Sequence, residues 1–285
     1  MSTLKKYLPR NRIWLFLLPS FIGMLIFFFI PAFVSLYHSL TFGGSFVWLR
    51  NFQNTLENFV FRLAVNNTML FIALSVPLNM IIAFLLAALL EGLKQKKFFL
   101  VLFMLPLVIP SGSVVFFWQS LFADNGYINR ILLLNGYDTV LWFASDWALP
   151  IAILVFIFKN IGFSLVLFVT GYQFIPKEYY EIARIDGASS FQIFRTVTAV
   201  YMMPTTFLVF MMSIINSFRI FREIYLLLGR YPNRSVFMLQ HFMNNQFAAA
   251  NMQTLSTTAT LLSFAIMLLA IVCYTLQRRL TDSYS

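Results

Sequence analysis

The sequence predicts an all-α integral membrane protein with six transmembrane helices. Three observations lead there. Of its 285 residues, 60% are hydrophobic and only 11% are charged, where soluble chains carry about 25% charged residues. The apolar residues gather in uncharged runs of 20 or more, long enough for a helix to cross the hydrocarbon. The Lys and Arg residues mostly flank those runs, where they act as topology signals.

The first span is expected at residues 13–37, behind Lys5, Lys6, Arg10 and Arg12. A cleaved signal peptide is the competing reading. The run is too long for one, contains Pro19 and Pro31, and lacks an Ala-x-Ala site, so an uncleaved span is expected. Residues 42–65 mix polar groups with Gly43-Gly44 and read as a loop. The second span covers residues 67–90, and the basic turn EGLKQKK follows at residues 91–97. The third covers residues 98–121, punctuated by Pro106 and Pro110, with a loop at residues 122–146. The fourth covers residues 147–171 and carries Lys159. The fifth covers residues 198–218, and a looser region with Pro232 extends over residues 219–253. The sixth covers residues 254–276 and stops at Arg278-Arg279.

Six spans put both termini on one side. Twelve Lys and Arg residues then fall on the terminus side and seven on the other, leaving out Lys159. That bias predicts cytoplasmic termini. It also places the polar segment between spans four and five, residues 172–196, in the cytoplasm.

This segment organises the rest. It carries Lys177, Glu178, Glu181, Arg184, Asp186 and Arg195 between two apolar spans. Pro176 suits a first helical position, and Glu178 suits the positive helix end. Glu181 and Arg184 are three apart and can pair on one face. Gly187 offers the left-handed conformation that closes a helix. Ser189 with Gln192 forms a capping box for a second helix starting near Ser190. A capped helix–turn–helix outside the membrane reads as a docking surface.

The pattern Glu181-Ile182-Ala183 followed by Asp186-Gly187-Ala188 resembles the EAA loop of ABC importer permeases. With Ile175-Pro176 before it, the segment is similar to the carbohydrate-uptake, MalF-type class. Ile182 replaces the usual first Ala, and Val200 stands where the motif usually ends in Pro, while Pro204 matches a second Pro common downstream. Further similarity runs along the chain: Leu18-Pro19 and Pro31; Pro106, Pro110 and Trp118; Phe122, Gly126 and Asn129; residues 159–162 (KNIG); and residues 218–228 (FRIFREIYLLL). In that last stretch Arg222 stands where the family often has Asp.

The resemblance implies one permease domain over residues 1–285 in a bacterial or archaeal cell membrane. Residues 172–196 become the coupling segment, with Glu178, Glu181, Ala183, Asp186, Gly187 and Ala188 as its ATPase-coupling residues. It also implies a second permease subunit forming a heterodimer, two ATPase subunits that bind ATP and Mg, and an extracytoplasmic solute-binding protein. The translocated solute would be a sugar or sugar-like compound.

The chain itself carries no G-x-x-x-x-G-K-[ST], no H-E-x-x-H and no G-x-G-x-x-G, so neither a phosphate-cradling loop nor a zinc-hydrolase motif is present. His38 and His241 are the only histidines and Cys273 the only cysteine. These exclude a cysteine metal site and argue against catalysis or a bound cofactor. The net charge of +10 has no basic domain to carry it, which argues against nucleic acid and leaves the lipid bilayer as the partner for the flanking charges.

Pathway candidates are fewer. Lys159 is an ionisable group near mid-span, a functional hypothesis by default; the plainer role is a bond to backbone carbonyls or snorkelling. Ser213 and Asn216 on span five could meet sugar hydroxyls or bond between helices. Arg219 and Arg222 share a helical face and could meet headgroups, an acidic binding-protein surface or an anionic sugar. An ion-coupled secondary transporter is the alternative reading, disfavoured by spans whose cores hold no Asp or Glu. A non-transporting membrane scaffold is a third.

Overall fold

The computed structural model describes residues 13–282. The expected topology signals at Lys5, Lys6, Arg10 and Arg12 lie outside the described residues. The chain forms two compact units. One comprises residues 13–58 with Met243–Ile266; the other comprises Phe59–Phe242 with residues 267–282.

In the first unit, α1 (Ile13–Met24) passes through a π-helical turn at Leu25–Phe29 into α2 (Ile30–Leu40). Pro31, which lacks an N–H, sits just beyond this π-helical turn inside one continuous helical stretch, Leu17–Leu40. A two-stranded hairpin follows, β1 (Thr41–Phe42) against β2 (Ser45–Phe46). Gly43 and Gly44 form its tip at φ +56° and +82°, the left-handed pair that a tight two-residue hairpin requires. The polar helix α3 (Arg50–Glu57) is tied back by Asn51, whose side-chain amide donates to the carbonyls of Ser39 and Thr41 at 3.0 Å each. The expected loop at residues 42–65 is therefore a hairpin and a helix, and the next helix begins earlier than hydropathy placed it.

The second unit is built on α4 (Phe59–Glu91), α5 (Lys96–Val108), α6 (Ser111–Phe122), α7 (Tyr127–Leu134) and α8 (Ala148–Gln173). It continues with α9 (Lys177–Ile185), α10 (Ser190–Ile193), a π-helical turn at Phe194–Thr198, α11 (Ala199–Arg219) and α12 (Phe221–Leu228). A 3-10 turn at Arg234–Val236, then α13 (Leu239–Ala248) and α14 (Met252–Asp282), complete the chain; α13 and α14 are shared between the units. Among the described residues five helical stretches are long and apolar enough to cross a membrane, and Lys96–Val108 with Ser111–Leu134 makes a sixth if that bent pair is one span.

That pair departs from expectation. The third span is not one rod: the chain turns by 95° between α5 and the stretch Ser111–Leu134 formed by α6 and α7. Pro110 is the N-cap of α6, and Ile109 before it is extended at ψ 130°. A proline lacks the N–H that would continue α5 and disfavours helical backbone in the residue it follows. The looser region expected at residues 219–253 likewise contains α12 and α13, separated by Gly229 at φ +79° and Pro232.

Helix α8 is the hub of this unit. Its most apolar stretch is 61% buried, against 28% in α4. Gly162 lets α5 approach: a Cβ there would lie 2.1 Å from the Phe103 carbonyl oxygen. Gly171 does the same for α11, where a Cβ would meet Thr205 Oγ1 at 2.7 Å. Small residues at helix contacts are how membrane helices come close without a hydrophobic driving force. Between α4 and α8, Asn79 donates to Ser164 Oγ at 2.9 Å. Asn129 ties the loop after α6: its amide donates to the Asp124 and Val140 carbonyls, and its Oδ1 accepts from Val140 N–H and the Trp142 indole.

Candidate functional site

Two places gather the sequence-predicted residues. The first is the helix–turn–helix between α8 and α11. Pro176 is the N-cap of α9, at φ −61° and ψ 134°, one position ahead of the helical slot expected for it. Glu178 falls in the first turn and Arg184 in the last, both matched to the helix dipole. The helix closes at Gly187, φ +73°. Ala188 N–H bonds to the Ala183 carbonyl at 3.0 Å, and Gly187 N–H to the Arg184 carbonyl at 3.1 Å. This pair of bonds is a Schellman closure, so Ala183 and Ala188 serve the turn through their backbones. The capping box is present: Gln192 Oε1 accepts from Ser189 N–H at 2.7 Å, and Ser189 Oγ accepts from Gln192 N–H at 3.4 Å.

The expected pairing of Glu181 with Arg184 is not made; neither side chain forms an ion pair among the described residues. Both are exposed, where an isolated pair gains little over hydration. Glu178, Asp186 and Gly187 are exposed too. Around them stand bare apolar groups: Ile182 at 54%, Ile185 at 84% and Phe191 at 70% exposure. Ile175 and Tyr180 on the other face pack into the core with Val197, Leu165 and Phe168, and Tyr180 Oη lies 3.1 Å from Thr198 Oγ1. The turn is anchored on one side and left open, apolar and charged, on the other.

The second place is a cavity of about 660 Å³ at the α5–α6 break. Ile109, Pro110 and Ser111 line it on one side, and Arg219, Arg222 and Glu223 on the other. Lys159 enters from the middle of α8. Its Nζ donates to the Ile109 carbonyl at 3.0 Å, satisfying an acceptor that the proline break leaves free. It also lies 3.7 Å from Glu223 Oε1, which accepts from Ser111 Oγ at 2.7 Å. The carbonyl bond was expected from the sequence; Glu223 was not. It lies beyond the fifth span, distant in sequence, and only the packing of α12 on α6 brings it to Lys159. Of the other candidates, Arg219 and Arg222 are exposed and line this cavity. Ser213 is buried and Asn216 half-buried on α11, and neither lines it.

Beside this cavity, His241 packs its ring against Phe221, Phe237 and Tyr225. Its Nδ1 accepts from Met238 N–H at 3.2 Å, and its buried Nε2 has no partner among the described residues. Burial pushes its pKa down to about 4, so it is neutral at physiological pH. Among the described residues no group of three or more His, Cys, Asp or Glu side chains is placed to hold a metal ion.

Comparison with known proteins places this architecture. Residues 79–284 match the family described as binding-protein-dependent transport system inner membrane component. The "Probable ABC transporter permease protein YurN" of Bacillus subtilis (strain 168) is 30% identical over 82% of this chain and 85% of its own. The "Multiple sugar-binding transport system permease protein MsmF" of Streptococcus mutans is 27% identical over 87% and 91%. The "Trehalose/maltose transport system permease protein MalF" of Thermococcus litoralis is 27% identical over 93% and 95%. A chain of a bacterial ABC transporter involved in importing the acidic polysaccharide alginate shares the fold, with TM-score 0.81, 20% identity and coverage of 94% of this chain and 96% of that one. The chain thus belongs to the binding-protein-dependent transport system inner membrane components, the multi-pass permease subunits of ABC importers.

Proposed function

We propose that this chain is the permease subunit through which an ATP-driven importer moves a sugar across the cell membrane. One observation carries the coupling half of this reading: a capped, Gly187-closed helix–turn–helix is anchored between α8 and α11 with Ile182, Ile185 and Phe191 exposed. Exposed apolar side chains ringed by charge mark a protein-interaction surface. Glu178, Glu181, Ala183, Asp186, Gly187 and Ala188 would fit that surface to a groove on an ATPase subunit. The sugar half is supported by the relatives named for sugar transport.

Residues 1–285 act as one permease domain and perform no chemistry in this reading. ATP and Mg bind two partner ATPases, a second permease completes the pathway, and an extracytoplasmic solute-binding protein delivers the substrate. A comparable transporter in complex with a substrate-bound periplasmic protein supports the last partner. Closure of the ATPases on ATP would move α9 and rock the spans between inward and outward openings. The termini face the cytoplasm with the coupling turn.

Site-directed crosslinking tests it. Ala188→Cys in a Cys273→Ser background is paired with single cysteines around the groove of the candidate ATPase. ATP-sensitive crosslinks are the expected result. Absence of crosslinks at Ala188 and its neighbours, with the ATPase present and folded, would remove the coupling assignment.

A further inference from the structure

The cavity at the α5–α6 break has an unbalanced charge. Lys159, Arg219, Arg222 and Glu223 all line it. Glu223 is engaged from two sides, by Ser111 Oγ at 2.7 Å and by Lys159 at 3.7 Å. Lys159 is engaged in turn by the Ile109 carbonyl. Arg219 and Arg222 are exposed to the cavity and form no ion pair among the described residues. Two guanidinium groups three residues apart therefore face one polar space with the nearby acid already held elsewhere. The start of α6 opens on the same space, with no side chain capping it, and a helix N-terminus adds positive potential.

We infer that this cavity receives the carboxylate of an acidic, uronate-type sugar, with Arg219 and Arg222 as its ligands. The inference rests on the sugar-import reading above and narrows its substrate class. An unengaged guanidinium offers a planar fork of donors that matches a carboxylate in bidentate fashion. Lys159 and Glu223 hold the break between α5 and α6 and so position the cavity wall, which leaves the arginines free for the ligand. Phe218 and Phe221 line the same space and give the C–H face of a pyranose ring an apolar surface. The volume of about 660 Å³ falls inside the range of about 300–1,000 Å³ common for small-molecule sites.

The test uses the purified full chain in lipid nanodiscs, with thermal stability read at rising ligand concentration. The probes are trigalacturonate, neutral galactotriose and sulfate. Trigalacturonate alone is expected to raise the melting temperature, less strongly at high salt. The Arg219→Gln/Arg222→Gln variant should need about tenfold more trigalacturonate for the same shift, as expected for losing charge-assisted bonds. If that variant does not assemble, Arg222→Lys, which keeps the charge and loses the fork, should show a smaller weakening. Equal shifts with galactotriose or with sulfate would overturn the inference, as would an unchanged response in whichever variant is assayed. Uptake by the assembled importer in proteoliposomes separates the two levels. ATP-dependent uptake of neutral sugars without trigalacturonate overturns the acidic-sugar inference alone. ATP-dependent uptake of neither class overturns the sugar reading as well.

Discussion

Lys159 and Glu223 exchange hydration for each other, and for Ser111 and the Ile109 carbonyl. Their side chains are only 11% and 8% exposed, so losing one partner leaves the other's charge buried. Removing one member of a buried pair typically costs about 3 kcal/mol or more, whereas replacing both costs far less. Lys159→Met should therefore lower the melting temperature in detergent more than Lys159→Met/Glu223→Gln does. Equal losses would mean that the two groups are not coupled. His241 gives a second prediction at this scale. Its folded pKa, about 4, lies below the ordinary value of about 6.5. The unfolded chain then binds a proton more readily between those values, so stability is complete above about pH 6.5 and falls toward pH 4. Protonation would break the Met238 N–H bond to Nδ1. The loss should approach 3 kcal/mol at most, and His241→Phe should flatten the pH dependence of thermal unfolding between pH 7 and 4. Lys159 was legible in the sequence as an isolated charge in an apolar run. Glu223 was not, because a carboxylate next to an arginine in a short amphipathic helix carries no sign of the distant lysine it meets.

At the scale of elements, the apolar runs were legible because hydrocarbon thickness fixes how long an uncharged helix must be. The turn at residues 186–193 was legible because Gly187 and Ser189–Gln192 encode their bonds within a few positions, whereas the expected Glu181–Arg184 pair is not made and Pro176 caps the helix from one position earlier. The 95° turn at Pro110 was not, because a proline is compatible with a kink, a break or a helix start, and only the environment decides. Gly162 was visible as part of a short stretch after Lys159, yet its role emerges from the α5 backbone beside it. A Cβ at Gly162 would press on the Phe103 carbonyl and the Met104 nitrogen at 2.1 and 2.9 Å. Backbone atoms cannot rotate away, so α5 and α8 must separate. Gly162→Ala should cost about 1–3 kcal/mol, seen as a lower melting temperature and reduced yield of folded protein. Gly187 contrasts with it. Nothing lies within 4 Å of a Cβ there, but its φ is +73°, which disfavours a side chain by about 1 kcal/mol. Gly187→Ala should thus fold and insert normally and yet transport poorly if the turn couples to an ATPase. Normal transport with normal expression would argue against that role.

For the whole molecule, the distribution of buried surface fits a lipid-embedded chain: the apolar stretch of α8 is largely enclosed, while that of α14 is 11% buried. Large exposed faces of Phe, Leu and Ile are favourable only where lipid or a second permease covers them, since neither competes for them as water does. Orientation is then decided by charge. We propose, from the excess of Lys and Arg, that the basic turn at residues 91–97 and the segment at residues 172–196 face the cytoplasm, separated by membrane-crossing elements from the loop at residues 122–146. The bend at Pro110 makes this assignment informative, because a re-entrant α5–α6 pair would return the loop to the cytoplasmic side, while a broken span would deliver it outside. Single cysteines in the Cys273→Ser background separate the two. Lys94 and Asp138 are both exposed, so Lys94→Cys and Asp138→Cys should disturb little. In intact cells a membrane-impermeant maleimide should label Asp138→Cys, and should reach Lys94→Cys and Ala188→Cys only after the membrane is opened. Labelling of Asp138→Cys only after opening, with Ala188→Cys labelled in intact cells, would make α5–α6 a re-entrant pair and reduce the count to five spans, an odd number that places the termini on opposite sides of the membrane.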